Sequence, residues 1–237
     1  RMMTTILFWD IDGTLLTTAR AGVFALEEAA SDVIGSEVSL TDMKTAGLTD
    51  RQIAINILEQ YGVTPGPSRI DRLLHLYGQK LPASLWRKHG AVLKGVLEIL
   101  EHAHGRSDVV SMLLTGNIEA GAQAKLAHYG LDTYFTHGAF SDKTADRTAI
   151  ARDALALAEE ILSGLRPRND ANADSDQFYI IGDTPHDIVC GKAINARVVA
   201  VASGGYDLET LKTYEPWWAL SSLPEPNVFF EKLGLEL

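Results

Sequence analysis

The apolar, β-prone run Ile6-Leu7-Phe8-Trp9 stops abruptly at Asp10-Ile11-Asp12-Gly13-Thr14. An unbroken run of this kind predicts a strand buried on both faces, the situation of a parallel sheet covered by helices, with both acids at its carboxyl end. That edge is where an open α/β sheet binds its ligands. Asp10 and Asp12 are two positions apart, so on a regular strand they point the same way, and Gly13 allows a sharp turn behind them. Two like charges about 4 Å apart repel by about 4 kcal/mol at an effective dielectric of about 20, so the pair calls for a cation, a shared proton or solvent. An Asp-Gly turn closing an ordinary strand is the plainer reading of the same residues.

Further along, three more apolar runs end in short polar residues. Val109 to Leu114 runs into Thr115-Gly116-Asn117, Phe178 to Ile181 into Gly182-Asp183, and Arg197 to Val201 into a loop with Ser203-Gly204-Gly205. A less regular stretch, Tyr134 to Phe140, reads as a short strand interrupted by His137-Gly138. Thr115-Gly116-Asn117 precedes a helix from Ile118 to Tyr129, so backbone N–H groups at that helix start can hold an anion, phosphate in particular; a simple cap by Asn117 is the alternative. Thr184-Pro185-His186-Asp187 opens another helix, and Asp183 and Asp187 lie four apart at the junction, where acids are also favoured by the helix dipole alone.

Between the first strand and these runs the chain reads helical. Apolar residues recur at helical spacing over Ala21 to Gly35, from Thr49-Asp50-Arg51-Gln52 to Tyr61, and from about Arg69 to Lys80, with Pro82 opening another short helix. A connection of this length is far beyond an ordinary βα loop, so residues 16–89 are expected to form a helical domain inserted into a core of 1–15 and 90–237. The Pro-, Arg-, Asn- and Asp-rich stretch from Arg166 to Gln177 reads as an exposed loop. Tyr214 to Leu220 and Val228 to Leu233 are expected to cover the rim of the core.

Composition narrows the function classes. With 237 residues, 46% of them hydrophobic, the chain can bury a full core. Its net charge of -10 argues against phosphate-backbone binding to nucleic acid, which needs clustered Lys and Arg. There is no apolar run of about 20 residues to span a bilayer and no signal-peptide pattern. The single cysteine, Cys190, excludes an internal disulfide and suits a reducing cytoplasm. His75, His89, His102 and His104 have no metal-like spacing.

Taken together, Asp10-x-Asp12-Gly13-Thr14, Leu114-Thr115-Gly116-Asn117 and Gly182-Asp183-Thr184-x-x-Asp187, with a helical insertion after the first strand, resemble the haloacid dehalogenase-like hydrolase superfamily, in its helical-cap phosphatase branch. In layout the chain is similar to phosphoglycolate phosphatases and β-phosphoglucomutases. The resemblance implies an α/β fold: a Rossmann-like parallel sheet in the order 5-4-1-2-3, flanked by helices and covered by an α-helical cap. It implies Asp10 as a nucleophile that takes a phosphoryl group, and Asp12 as general acid and base. It also implies Mg²⁺ held by Asp10, Asp183, Asp187 and the Asp12 carbonyl. Thr115, Gly116 and Asn117 are the implied phosphate holders.

The family's Lys-Pro pattern is missing between the second and last motifs. Arg147 is the preferred replacement for its cation, since a guanidinium fork holds phosphate and carboxylate together, and Lys143 is the competitor. Four carboxylates against Mg²⁺ and one such cation leave the site at −1 unless Asp12 is protonated. Thr49, Asp50 and Arg51, in a stretch resembling a cap-helix entry motif, are candidate contacts to the substrate beyond its phosphate; a helix cap explains them as well.

The activity implied is hydrolysis of a small phosphorylated metabolite. A phosphosugar mutase shares the phosphorylated aspartate and differs in the acceptor. A 2-haloacid dehalogenase shares the nucleophile but needs neither Asp12 as an acid nor an acidic metal site, and a non-catalytic binding protein that kept the fold is the remaining reading. The sequence carries no signal for an oligomeric state.

Overall fold

The computed structural model describes residues 3–165 and 177–236. The expected loop at 166–177 lies outside the described residues except for its last position, which opens a strand.

Strand β1 (Thr5–Trp9) is buried along its whole length because it is the third of six strands. It pairs in parallel with β4 (Val109–Leu114) on one side and β6 (Gln177–Gly182) on the other, with Trp9 opposite both Leu113 and Ile181. This register brings the three strand ends level, so Asp10, Thr115 and Asp183 emerge at one edge. Beyond β4 lies β5 (Gly138–Ala139), and beyond β6 lie β7 (Arg197–Val201) and β8 (Trp218–Leu220), all parallel.

Alternation along the strands splits the core into two layers. Leu7, Trp9, Tyr179 and Ile181 face one layer with α4 (Val96–His104) and α9 (Pro226–Lys232). Ile6, Phe8 and Ile180 face the other with α6 (Arg147–Leu165) and α7 (Pro185–Ala193). The expected order of five strands holds. Two details differ. The strand expected over 134–140 shrinks to two residues, because Asp132–Tyr134 forms a turn of 3₁₀ helix before it. Trp218–Leu220, expected only to cover the rim, adds a sixth strand beside β7.

Helices α1 (Ala21–Ile34), α2 (Asp50–Gln60) and α3 (Pro67–Leu85) build a separate core around Leu26, Ile53, Ile57, Leu73, Tyr77 and Leu81. Both chain crossings into this helical unit meet in a short antiparallel ribbon, β2 (Leu16–Thr17) with β3 (Ala91–Val92). The helix expected to stop near Lys80 and restart at Pro82 is one continuous helix with Pro82 inside it. Pro82 is exposed while its neighbours Leu81, Ser84 and Leu85 are buried, so packing on the inner face carries the helix past the lost hydrogen bond. Helix α5 (Glu119–His128), which follows β4, packs against α3 and joins the helical unit to the sheet. No described helix is long and apolar enough to cross a membrane.

Candidate active site

Asp10 follows β1, Asp183 follows β6, and Asp187 sits in the first turn of α7. One carboxylate oxygen of each lies within 4.8 Å of the others, and all three residues are buried. Asp10 accepts from the Ile11 amide at 2.8 Å, and Asp183 from the Thr14 hydroxyl at 2.9 Å. Asp187 uses one oxygen to receive the Thr184 amide and hydroxyl, both at 3.0 Å, which fixes the start of α7.

Burial, with the neighbouring acids Asp187 and Asp12, pushes Asp10 up to about 7 despite the Arg147 charge; burial and the same kind of crowding raise Asp183 well above the carboxylate range.

Arg147, the first residue of α6, is the buried cation of this cluster. Its Nη2 lies 2.7 Å from Asp187 and 3.2 Å from Asp10, and its Nη1 donates to the Gly47 carbonyl at 3.2 Å. Lys143 is exposed. Of the two candidates, the structure brings Arg147 to the carboxylates.

Asp12 turns to a different neighbour. The ammonium of Lys125, on α5, is 2.9 Å from each Asp12 oxygen and 2.7 Å from Asn117 Oδ1. Asn117 Nδ2 donates to Asp12 Oδ2 at 2.8 Å and to Thr115 Oγ1 at the same distance. Burial alone would raise Asp12, but the Lys125 charge and the hydrogen bonds from Lys125 and Asn117 outweigh it and hold the carboxyl below its ordinary value. Sequence reasoning missed Lys125. The signal was present: Lys125 shares a helical face with Ile118, Gly121 and Ala122, which is an apolar face on which a lysine needs a partner.

The start of α5 is less open to anions than its sequence suggests. The Ile118 amide is taken by Asp50 Oδ2 and the Glu119 amide by Asp142 Oδ2, each at 2.9 Å. The Gly116 amide, by contrast, makes no hydrogen bond to the protein among the described residues.

Of the three candidates at the start of α2, Asp50 lines the central cavity. Thr49 caps its helix and donates to the Ala145 carbonyl at 3.0 Å, and Arg51 reaches the Ser141 carbonyl at 3.3 Å. Burial raises Asp50 to about 6, although Lys125 and the Ile118 amide pull the other way.

These groups open into a cavity of about 590 Å³ between the strand ends and the helical unit. Its wall combines Asp10, Asp12, Asp183, Arg147, Lys125 and Asn117 with Arg20, Val23, Leu26 and Ile53 from the helical side. The loop Ser203-Gly204-Gly205 closes one end, tied down by Ser203 Oγ donating to the Gly13 carbonyl at 2.7 Å.

A divalent cation fits this donor set. A Cβ at Gly13 or Gly204 would come within 2.2 or 1.9 Å of Asp183 Oδ2, so both glycines keep the space around that oxygen clear. The charges point the same way: four carboxylates (Asp10, Asp12, Asp183, Asp187) against two cations (Arg147, Lys125) leave −2, which one divalent ion cancels. Carboxylate oxygens are the ligands a hard cation takes.

A parallel α/β sheet that gathers buried carboxylates at the carboxyl ends of its strands has the layout of an α/β protein that binds its ligand at that edge. The profile described as haloacid dehalogenase-like hydrolase matches residues 6–201, and the chain belongs to that family. Solved structures show the same fold at low identity. A predicted phosphatase from Clostridium acetobutylicum superposes with a TM-score of 0.69 at 18% identity, covering 98% of this chain and 100% of that one. A predicted phosphoglycolate phosphatase from Haemophilus somnus 129PT gives 0.67 at 15%, covering 98% and 99%. CbbY from Rhodobacter sphaeroides, solved in complex with phosphate, gives 0.64 at 18%, covering 86% and 88%. No curated protein sequence matches.

Proposed function

We propose that this protein hydrolyses small phosphate monoesters, taking the phosphoryl group onto Asp10, with Mg²⁺ held by Asp10, Asp183, the Asp12 carbonyl and, directly or through water, Asp187. The observation that carries the reading is the convergence of Asp10, Asp183 and Asp187 on one point beside a single buried guanidinium. The ion supplies charge neutralisation on the transferring phosphoryl oxygens.

The chain's own residues account for the rest. Arg147 holds the Asp10 carboxylate by Nη2 and brings to the cavity wall a positive charge that favours an incoming phosphate. The Gly116 amide, in the cavity wall after β4, offers a further donor, and the Thr115 hydroxyl accepts the Asn117 amide and Nδ2 and so fixes that loop. One Asp10 oxygen forms the new bond to phosphorus as the ester bond breaks. The leaving oxygen departs toward Asp12, which delivers a proton to it. Asp12 then takes a proton from the water that releases phosphate and frees Asp10. Since Asp12 is ionised at neutral pH, the base half is ready beforehand and the acid half uses a proton that arrives with the substrate.

Residues 16–89 act in this reading as a cap over a catalytic core of 1–15 and 90–237. The cap contributes Arg20, Val23, Leu26, Asp50 and Ile53 to the wall beyond the phosphate, and a cytosolic phosphorylated metabolite fills that space. Asp12 and Asp183 favour phosphoryl transfer over displacement of halide at carbon, which has no use for a proton donor or a metal ligand.

The experiment is turnover of p-nitrophenyl phosphate and of a panel of phosphorylated metabolites by purified protein. Activity that requires Mg²⁺, stops with a strong chelator and returns when Mg²⁺ is restored supports the reading. Chelator-resistant turnover, or chloride release from a 2-haloacid without phosphatase activity, overturns it.

A further inference from the structure

Lys125 is a charged side chain of the cavity that the family motifs do not account for. It lies on the second turn of α5, is 4% exposed, and directs its ammonium at both oxygens of Asp12. Burying a lysine is costly unless it is paired and hydrogen-bonded, and here all three ammonium contacts are at 2.7–2.9 Å to Asp12 and Asn117. The start of α1 at Gly22 and the Tyr77 hydroxyl from α3 flank the ammonium at ordinary contact distance: a Cβ on Gly22 would stand 3.6 Å from Lys125 Nζ and 3.7 Å from that hydroxyl.

The Asp12 side chain is half exposed, with 49% of it open to the cavity, so nothing in its own packing fixes it. Among the described residues, the side chains that reach its oxygens are N–H donors: Lys125 to both, and Asn117 to Oδ2. A carboxylate held this way keeps lone pairs directed at the cavity in one orientation, as an acceptor. Without the ammonium, Asn117 alone remains, and one hydrogen bond to one oxygen leaves the carboxylate free to rotate.

We propose that Lys125 is a positioning residue for Asp12, holding its carboxylate in the orientation that takes a proton from water, so that release of phosphate from Asp10 depends on it. The proposal rests on the phosphatase reading above and adds a residue to it. No bond to Lys125 forms or breaks: water gives its proton to Asp12 and its oxygen to phosphorus, the Asp10–phosphorus bond breaks, and the ammonium keeps all its protons throughout.

p-Nitrophenyl phosphate separates the two halves of the reaction, since p-nitrophenolate leaves without needing a proton. With Mg²⁺ present, Lys125→Met is expected to form the phosphorylated Asp10 at close to the parent rate and to release phosphate slowly. The stopped-flow trace then shows a burst approaching one p-nitrophenolate per enzyme, followed by a steady state about 100-fold slower than the parent, with KM not raised. Methionine fills the aliphatic slot, and a melting temperature measured alongside accounts for any loss of folded protein. In Lys125→Ala, propylammonium in the buffer is expected to restore turnover at least about tenfold, and Lys125→Arg to retain more activity than Lys125→Met. A steady state in Lys125→Met within about threefold of the parent, or a slow steady state with no burst and no rescue of Lys125→Ala by the amine, overturns the proposal. Failure of the underlying reading looks different: the parent protein itself then turns over no phosphate ester.

Discussion

Arg147 meets three acceptors at once, Asp10 and Asp187 through Nη2 and the Gly47 carbonyl through Nη1. Replacing it with Met strands two buried carboxylates beside each other, so turnover should fall by at least about 100-fold. Lys143→Ala, at an exposed neighbouring position, should stay within about twofold of the parent in the same steady-state assay. Residue type favoured Arg147 over Lys143 for its guanidinium fork, but the sequence shows only which charges are near in chain order and hides which one the helix start turns inward. Asp10, Asp12, Asp183 and Asp187 were legible for the opposite reason: each stands just after an apolar run or at a helix start, so its place in the chain carries it to the strand-end edge. Lys125 was hidden because its partner is 113 positions away in the chain.

The raised Asp10 and Asp183 carboxyls also set a pH dependence. For an acid whose value rises on folding, stability is fullest below the unfolded value of 3.8 and is lost as pH climbs to the folded value, about 7 for Asp10. In the proposed reading Mg²⁺ takes the place of those protons, so its stabilising effect should grow over the same window. At about 100 times its Kd the ion contributes about 2.7 kcal/mol, a rise in Tm of about 5–10 °C at pH 7.5 that shrinks toward zero at pH 5. Differential scanning fluorimetry with and without Mg²⁺ checks this, and an equal shift at both pH values contradicts it.

At the level of elements, the site is an alignment of strand ends. Trp9 stands opposite Leu113 and Ile181, and the β7 loop folds back over Asp183 through Ser203 and Gly204. Gly204 has a measurable part in this. An alanine there would press on Asp183 Oδ2, so Gly204→Ala should keep the fold, lose most of the Mg²⁺-dependent rise in Tm and cut turnover by about tenfold or more. A full response to Mg²⁺ in that variant would show that the space around Asp183 is not needed. The main strands and helices were readable because their apolar periodicity is long. The elements that were misread are short or locally contradictory: β5 and β8 take their pairing from neighbours, and α3 runs through Pro82 on the strength of its buried face.

Across the whole molecule, two cores meet at the cavity. One face is the parallel sheet, the other is the helical unit, and α2 docks directly on the loop after β4: the Asp50 amide donates to the Gly116 carbonyl at 2.7 Å while the Asp50 side chain receives the Ile118 amide. The insertion was visible in the sequence as a helical stretch too long for a loop, but this docking was not, since the residues that make it also read as an ordinary helix cap. It joins the helical wall of the cavity and the loop after β4 in one connected piece. What the assembly does chemically comes down to Asp10, and a rapid acid quench during turnover of a radiolabelled phosphate ester with Mg²⁺ tests that most directly. The account predicts label on the peptide carrying Asp10, released by hydroxylamine as an acyl phosphate is, with both label and turnover lost in Asp10→Asn by at least about a thousandfold. Steady hydrolysis with no label on that peptide, and undiminished turnover in Asp10→Asn, would contradict it.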